Sequence, residues 1–262
     1  MVLLDAHVHL DAYGSEIDAV FDEIVRHQIL TIAVASDLSS WQNTLGLASR
    51  CALVIPAFGI HPARAAAFKG QFDELLPCLD NCGMIGEIGL DYHWVTERSG
   101  YPTQRRILEF FLEQAANRSL IVNLHTKGAE QDILSALEGS GIRKSIVHWY
   151  SGPPDLVEPL LEQGAYFTFG CELAFSSHIR QLLSLVPDNR ILTETDNPAG
   201  YEWLTGETGM PRHLHTAVVE LARLRGVSTE EMSRQVWSNF LDLVQGNAAM
   251  QTALRRIGVP ES

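Results

Sequence analysis

Basic residues are scarce in this sequence. Its 262 residues include 19 Lys and Arg against 32 Asp and Glu, which gives a formal net charge of −13 at pH 7. Because binding along a phosphate backbone relies on cationic surface, this charge argues against broad, non-specific wrapping of nucleic acid. A pair of divalent cations would supply about four positive charges within one cleft. Any polyanionic substrate must therefore be held locally.

Other absences exclude further classes of protein. No apolar run approaches the ~20 residues needed to cross a bilayer. The first residues lack the basic region, apolar core and cleavage site of a signal peptide. We therefore expect no membrane segment and a cytoplasmic location. The four cysteines include one close pair, Cys78 and Cys82, whose spacing fits neither a zinc site nor a redox motif, so we expect reduced packing residues.

Short β-branched runs alternate with longer runs of helical periodicity along the whole chain. Strands are predicted at 3–10, 30–35, 53–60, 84–90, 120–125, 144–149, 165–170 and 191–196. Helices are predicted near 16–27, 72–81, 102–118, 129–137, 154–163, 179–185, 211–225 and 228–244, with a shorter one after Ser39 and a final one at the end of the chain. This order indicates an α/β protein, and eight strands favour a (β/α)8 TIM barrel in which residues 1–262 form a single domain.

A doubly wound open sheet is the runner-up architecture, because it has the same alternation. Such sheets usually carry a Gly-rich phosphate loop after the first strand. Here the first strand ends in His-x-His-x-x-Asp, and no P-loop or dinucleotide-binding motif occurs anywhere in the sequence. The barrel is therefore favoured.

The stretch Asp5-Ala-His-Val-His-Leu-Asp11 concentrates polar residues in the first predicted strand. Alternate residues of a strand point to the same side, so His7 and His9 project together while Ala6 and Val8 face away. Two imidazoles on one face make half of a metal site, and His-x-His pairs also arise by chance. Ligands from elsewhere in the chain must decide between these interpretations.

Similar polar residues stand at or near the ends of five predicted strands. They are His7, His9, Glu87, His125, His148 and Asp196. The carboxyl ends of barrel strands meet at one face, where active sites of this fold assemble. Any one of these histidines alone could be a hydrogen-bonded core residue. Together, four histidines and two carboxylates can hold two divalent ions, particularly if Glu87 bridges them.

Several motifs of the sequence are similar to those of one enzyme family. They are Asp5-Ala-His-Val-His-Leu-Asp11, Gly59-Ile-His-Pro62, Gly86-Glu-Ile-Gly-Leu-Asp-Tyr92, the segment around His125, His148-Trp-Tyr-Ser-Gly152, Glu194-Thr-Asp-Asn-Pro198 and Trp237-Ser-Asn-Phe240. As a set they resemble the TatD-type metal-dependent deoxyribonucleases, within the amidohydrolase-like barrel superfamily, over nearly the whole chain.

The resemblance implies a divalent-metal phosphodiesterase that removes nucleotides from DNA ends, as a 3′–5′ exonuclease. It matches all six residues at the strand ends to metal-ligand positions, for two ions of Mg2+, Mn2+ or Zn2+. It also implies DNA as the partner, and we expect a monomer. The chain departs from the family's usual pattern at His148-Trp-Tyr-Ser-Gly152, at Asn197 and at Gly209-Met-Pro211, all in loops that would contact nucleic acid.

Roles in catalysis follow from charge. Metal ions would polarise the phosphate and lower the pKa of water, while a carboxylate takes the proton. Asp196 is the predicted base, and Glu87 is the second predicted catalytic residue. We expect His61 and Lys127 to hold the substrate phosphate. Arg64 is explained equally well as a solvated surface residue.

Aromatic residues predict how an acidic protein grips DNA. Trp41, Trp94, Trp149 and Trp203 follow four predicted strands, with Tyr150 and Tyr201 beside two of them, so they should surround the mouth of the cleft. Stacking on unpaired bases is worth roughly 1–3 kcal/mol per base, which favours single-stranded or frayed ends. We expect Trp149, Tyr150 and Trp203 to contact the substrate.

Two other functions are compatible with the sequence. The same barrel and similar ligands serve metal-dependent hydrolysis of amides, lactones or phosphotriesters. A nucleic-acid-binding subunit without turnover is also compatible. His213 and His215 do not indicate another metal site, because a spacing of two on a predicted helix turns the side chains apart, so a surface or capping role is expected.

Overall fold

A computed structural model describes residues 2–68, 70–80 and 82–258 of the chain. Within these ranges eight parallel strands follow one another: β1 (Leu3–Val8), β2 (Ile29–Val34), β3 (Val54–Ala57), β4 (Met84–Asp91), β5 (Ile121–Lys127), β6 (Ser145–Val147), β7 (Ala165–Phe169) and β8 (Ile191–Thr193). Each strand pairs with its neighbour in sequence within the runs β1–β3 and β4–β8.

Contacts at two seams join these runs of strands into a closed ring. Phe58, just after β3, bridges to Ile85 of β4. At the other seam, the backbone N–H of Asp196 donates to the carbonyl of His7 at 3.0 Å. A closed ring of parallel strands in sequential order confirms the predicted (β/α)8 barrel and excludes the open sheet.

Helices cover the outside of the barrel. In the described ranges they are α1 (Ile17–His27), α2 (Leu38–Ala48), α3 (Leu76–Leu79), α4 (Tyr101–Arg118), α5 (Glu130–Ser140), α6 (Val157–Glu162), α7 (Glu172–Phe175), α8 (Ser177–Leu185), α9 (Ala199–Thr205), α10 (His213–Arg225), α11 (Thr229–Val244) and α12 (Ala248–Arg256). The sequence does not predict α7 and α9, because they are too short to show a helical period. The helix predicted near 72–81 is instead a 3-10 segment, Phe72–Leu75, followed by α3, and position 81 lies outside the described residues.

The core lies between the strands and these helices. All eight residues of β4 are buried, as are those of β2, β5 up to Thr126 and β7. On α4, Ile107, Leu108, Phe111 and Leu112 point inward at spacings of three and four. Full burial of such a side chain contributes about 1.5–3 kcal/mol. Strands covered on both faces explain why the sequence shows continuous apolar runs rather than alternation.

The last motif of the family resemblance has a structural role. Asn239 of α11 donates from its amide to the carbonyls of Ile191 and Asp188, both at 2.7 Å, and Phe240 is fully buried. The start of α11 is the predicted capping box, in which Ser228 and Glu231 satisfy each other's backbone N–H groups. This helix therefore fixes the beginning of β8, at the opposite end from the cleft.

The cysteines behave as predicted. Cys51, Cys82 and Cys171 are buried, Cys78 is partly buried, and all four are free thiols. Burial raises the pKa of the Cys82 thiol to about 11, so it remains protonated at neutral pH.

Candidate metal centre and substrate cleft

A cleft of about 940 Å3 opens at the carboxyl ends of the strands. Five of the six residues from the strand ends line it, and His7 lies fully buried beneath it. Their positions follow from the barrel: β1 ends between the first two histidines, Glu87 lies within β4 and His125 within β5, His148 follows β6 directly, and Asp196 is the third residue after β8. The structure therefore brings all six residues together, although they span positions 7 to 196.

Glu87 lies at the centre of this group, and its two carboxylate oxygens face two different clusters. Oε2 is 3.5 Å from His7 Nε2 and 3.2 Å from His9 Nε2, and these nitrogens lie 3.7 and 3.5 Å from Asp196 Oδ1. Oε1 is 2.8 Å from His125 Nδ1 and 2.9 Å from His148 Nε2. Glu87 therefore presents one acceptor oxygen to each of two clusters, and such a set of imidazole and carboxylate donors suits cations.

The orientation of His7 is fixed from behind. Its Nδ1 is 2.9 Å from Asn123 Oδ1, and the amide of Asn123 donates to the carbonyl of Ala6 at 2.9 Å. Because the amide oxygen can only accept, Nδ1 carries the hydrogen and Nε2 presents a lone pair to the cleft. Both His7 Nε2 and Glu87 Oε2 are buried without a hydrogen-bond partner. Two such acceptors side by side fit a cation.

Two further carboxylates hold the other buried histidines. His125 Nε2 is 3.1 Å from Asp91 Oδ2, and His148 Nδ1 is 3.6 Å from Glu194 Oε2. In each imidazole one nitrogen faces a residue of the wall and the other faces Glu87. Carboxylates behind ligating histidines are the usual partners of such ligands in metal sites.

Sequence reasoning assigned no role to Asn123, Asp91 or Glu194. The first two could have been found from strand periodicity: Asn123 precedes His125 by two residues on β5, and Asp91 follows Glu87 on β4. A polar residue on the same face of a buried strand as a candidate ligand requires a partner, and the histidines are the nearest ones available.

Charges around Glu87 shift its pKa and those of its neighbours. Burial by itself would raise the pKa of Glu87, but the surrounding histidines, His61 and His148 foremost, hold it well below its usual value. Burial would lower the pKa of His148, yet the carboxylates of Glu87 and Glu194 raise it to about 10. The carboxylates of Glu87 and Glu194 stabilise the proton on His148, and the same negative charge would favour a divalent cation in place of that proton.

Asp91 joins His125 to the loop after β4. Its Oδ1 accepts hydrogen bonds from the backbone N–H groups of His93 and Trp94, at 2.9 and 2.7 Å. Burial alone would raise the pKa of Asp91, but the bonds from His125 and from these N–H groups lower it to about 2. One buried carboxylate thus orients a candidate ligand and shapes the rim of the cleft.

We expect Asp91→Asn to weaken metal binding by about 10–100-fold, the usual cost of changing a residue behind a metal ligand. Asparagine can still accept from the loop through its oxygen, but its NH2 group cannot accept from His125 Nε2. Titration calorimetry with Mn2+ measures the change, and circular dichroism checks the fold.

Asp37→Asn is the matched control for this substitution, because Asp37 likewise accepts a backbone N–H at the start of α2 but contacts no histidine. Unchanged Mn2+ affinity in the Asp91 variant would show that this carboxylate does not orient His125.

Lys127 and the tryptophans form the other wall of the cleft. Lys127 Nζ donates to the carbonyl of Trp149 and to Ser151 Oγ, both at 2.8 Å. Trp149 has a left-handed backbone (φ +36°), which its N–H maintains by donating to Glu194 Oε1 at 2.7 Å. Its ring lies 6.0 Å from that of Trp203, edge to face. Trp94 and Trp203 are 61% and 69% exposed and line the same cleft.

The structure corrects the predicted substrate contacts at Tyr150. This side chain is buried, its hydroxyl donates to the carbonyl of Pro153 at 2.7 Å, and its ring packs edge to face on Phe167. The left-handed backbone at Trp149 turns the chain after β6, so Trp149 reaches the cleft and Tyr150 reaches the core.

The prediction that Trp41 lies at the mouth of the cleft is also wrong. It is buried on α2 against Phe58, away from the mouth of the cleft. The helix that carries it turns its apolar face inward, which the position of Trp41 after a strand could not show.

The structure shows the contacts of His61, His213 and Arg64. His61 lines the cleft, but its Nε2 lies 3.5 Å from Glu87 Oε1, so it joins the second cluster and faces the candidate ligands. Burial lowers its pKa to about 4, which leaves the imidazole neutral at pH 7. His213 accepts the N–H of Met210 and stacks on Tyr201, a capping role as predicted. Arg64 is an exposed surface residue 3.7 Å from Asp37.

The protein is a metal-dependent hydrolase of the (β/α)8 type. This class is defined by the parallel barrel, the histidine-rich clusters and the central carboxylate. The sequence model of the TatD related DNase family matches residues 4–245. The chain belongs to this family, which confirms the resemblance, and it is a hydrolase that acts on ester bonds.

Relatives and solved structures agree with this assignment. Human deoxyribonuclease TATDN3 is 26% identical over 259 residues, covering 92% of this chain and 94% of that protein. The Bacillus subtilis (strain 168) protein YabD, described as an uncharacterized metal-dependent hydrolase, is 24% identical and covers 94% of this chain and 100% of its own length. The crystal structure of the TatD homologue YjjV from Escherichia coli K12 superposes with a TM-score of 0.83 at 21% identity, covering 92% and 97% of the two chains. No helix in the described part of this chain has the length and apolarity to span a bilayer.

Proposed function

We propose that this protein is a divalent-metal-dependent deoxyribonuclease that hydrolyses DNA phosphodiester bonds from an end. The observation that carries the proposal is Glu87, buried, with each carboxylate oxygen facing a different cluster of imidazole nitrogens. Sites with two neighbouring cations are typical of enzymes that cleave phosphodiesters. Membership of the TatD related DNase family supports DNA as the substrate.

Six residues would hold the two metal ions, with Glu87 shared between them. His7, His9 and Asp196 surround one oxygen of Glu87, and His125 and His148 surround the other. When bound, the ions supply positive charge that polarises the phosphodiester and lowers the pKa of water. Imidazole and carboxylate ligands suit Zn2+ or Mn2+, and Mg2+ less well.

Asp196 is our candidate general base. It follows β8, its Oδ1 faces the first cluster, and about a fifth of its side chain is exposed, so it can receive a proton from water in the cleft and release it to solvent. Glu87 lies between the two clusters, and its negative charge holds them close to each other.

We further propose that His61 and Lys127 assist in holding the scissile phosphate, Lys127 through its ammonium group and His61 from the rim of the second cluster. The exposed ring of Trp203, beside Trp149, provides a surface on which an unpaired base can stack. Such stacking favours single-stranded or frayed 3′ ends. Monomeric state, cytoplasmic location and a single domain over residues 1–262 stay predictions.

Chelation provides the first test of the proposal. We expect the protein with added Mn2+ to shorten end-labelled single-stranded DNA one nucleotide at a time, and removal of the metal by EDTA to abolish this activity until Mn2+ is restored. Parallel incubations with RNA, a phosphotriester, an amide and a lactone separate this function from its alternatives. Full activity after verified metal removal, or turnover of only the last three substrates, would exclude a metal-dependent nuclease.

Removal of the Trp203 ring tests the base contact. We expect Trp203→Ala to raise the KM for single-stranded DNA about tenfold, since stacking is worth roughly 1–3 kcal/mol per base, with little change for a small phosphodiester that lacks a base. Steady-state kinetics on both substrates measure this. Equal losses on both would indicate disruption of the cleft near α9, and no loss on either would remove Trp203 from the binding site.

A further inference from the structure

The distribution of charge in the cleft limits how much of a nucleic acid it can hold. Among the described residues that line the cleft, Lys127 is the one lysine or arginine. Its ammonium group is already hydrogen-bonded to the carbonyl of Trp149 and to Ser151 Oγ. Apart from histidines and the candidate metal ions, this leaves a single cation for the backbone.

Carboxylates occupy the part of the cleft beyond Lys127. Glu130 accepts the backbone N–H of Gly128 at 3.1 Å, and its side chain packs so closely on Gly152 that a Cβ there would lie 2.5 Å from Glu130 Cγ. Glu172 accepts the N–H of Gly170 at 2.7 Å. Both line the cleft, and neither offers positive charge to a second phosphate.

The remaining wall carries large apolar side chains together with Ser176 and His178. Phe175 and Trp203 are 57% and 69% exposed, and Ile179, Ala199 and Leu204 lie beside them. Such a wall suits the flat face of one base and its sugar. The volume of about 940 Å3 lies within the range of small-ligand pockets, roughly 300–1,000 Å3.

Outside the cleft lining, three arginines are paired with carboxylates. Arg64 pairs with Asp37, Arg105 with Asp132 and Arg212 with Glu23. Arg98, on the loop after β4, lies outside the cleft lining. The described residues that line the cleft therefore offer no row of cations to a second phosphate, and the net charge of −13 disfavours long polyanions.

We propose that the protein recognises only the terminal nucleoside and the phosphate next to it, so that its substrates are short oligonucleotides, down to dinucleotides, as readily as long strands. This inference rests on the proposed function, because it assigns the scissile phosphate to the candidate metal centre. The inference goes beyond the proposed function because it names the substrate class. A nuclease with an extended phosphate groove would require a long strand, whereas this protein would not.

Kinetics on a series of deoxythymidylates test the proposal. With Mn2+ present, we expect kcat/KM per end for the dinucleotide to lie within about threefold of that for a 20-mer, and the log–log slope of kcat/KM against salt to be no steeper than about −0.7, which corresponds to one phosphate contact. A rise of about tenfold or more with length, together with a slope near −3 or steeper, would reveal an extended groove and overturn the inference.

Equilibrium binding separates this inference from the proposed function. Tryptophan fluorescence in EDTA measures Kd for the dinucleotide and the 20-mer without turnover, and we expect values per end within about threefold of each other. If no phosphodiester is hydrolysed but both bind equally, the proposed function fails and the limit on length stands. Tighter binding of the 20-mer by about tenfold would contradict the limit on length whether or not hydrolysis occurs.

Discussion

Glu87→Gln is expected to lower kcat by about a thousandfold or more, because charge stabilisation by metal ions is worth several kcal/mol and each 1.36 kcal/mol is a factor of ten. Glutamine has nearly the same shape, but it offers one oxygen and an NH2 group in place of two acceptors. The NH2 group would point a donor at one of the two clusters, His7 and His9 on one side or His125 and His148 on the other.

Metal content is the direct readout for this variant. Elemental analysis after dialysis should show fewer ions per chain than in the unchanged protein, while circular dichroism should show a folded barrel. Glu113→Gln, the same exchange at an exposed position on the outer face of α4, is the matched control and should change neither value. Two ions per chain and unchanged turnover in the Glu87 variant would contradict its bridging role.

Asp196→Asn is expected to lower kcat by about 10²–10⁴-fold, the range typical of removing a general base. Asparagine keeps an oxygen that can contact a cation, but it cannot accept a proton. It also tolerates the left-handed backbone at this position (φ +50°), so the loop after β8 should retain its shape. Because the substitution affects substrate binding less than the rate of the chemical step, KM should change far less than kcat.

A comparison of kcat with Mn2+ affinity distinguishes a base from a simple ligand. We expect the affinity of the Asp196 variant to fall much less than its kcat, and Asp22→Asn, on the exposed face of α1, to leave both unchanged. Parallel losses in affinity and kcat would assign Asp196 to metal binding alone.

Sequence alone determined the barrel and which residues meet in it. Buried parallel strands appear in the sequence as short continuous apolar runs, so the strands can be counted and put in order. The carboxyl end of each strand lies at the same face of the barrel, which indicates where polar residues at the strand ends meet. His7 and His9 on β1, Glu87 on β4 and His125 on β5 were brought together by that rule before any contact was known. Their action as metal ligands remains our proposal.

Tertiary structure decided what depends on the direction of individual side chains. Trp149 reaches the cleft while neighbouring Tyr150 turns into the core, because a left-handed backbone held by Glu194 and Lys127 sets the direction of the chain after β6. Helix α9, which carries Trp203, is too short for its periodicity to be recognised.

The supporting contacts of the ligands also required the folded chain. Asn123 and Asp91 meet His7 and His125 across 116 and 34 residues. Sequence can show that a buried polar residue needs a partner, but the partner is chosen by distances of about 3 Å between side chains on different strands. Those distances arise only when the ring of strands closes, because closure fixes the register of every strand against the next.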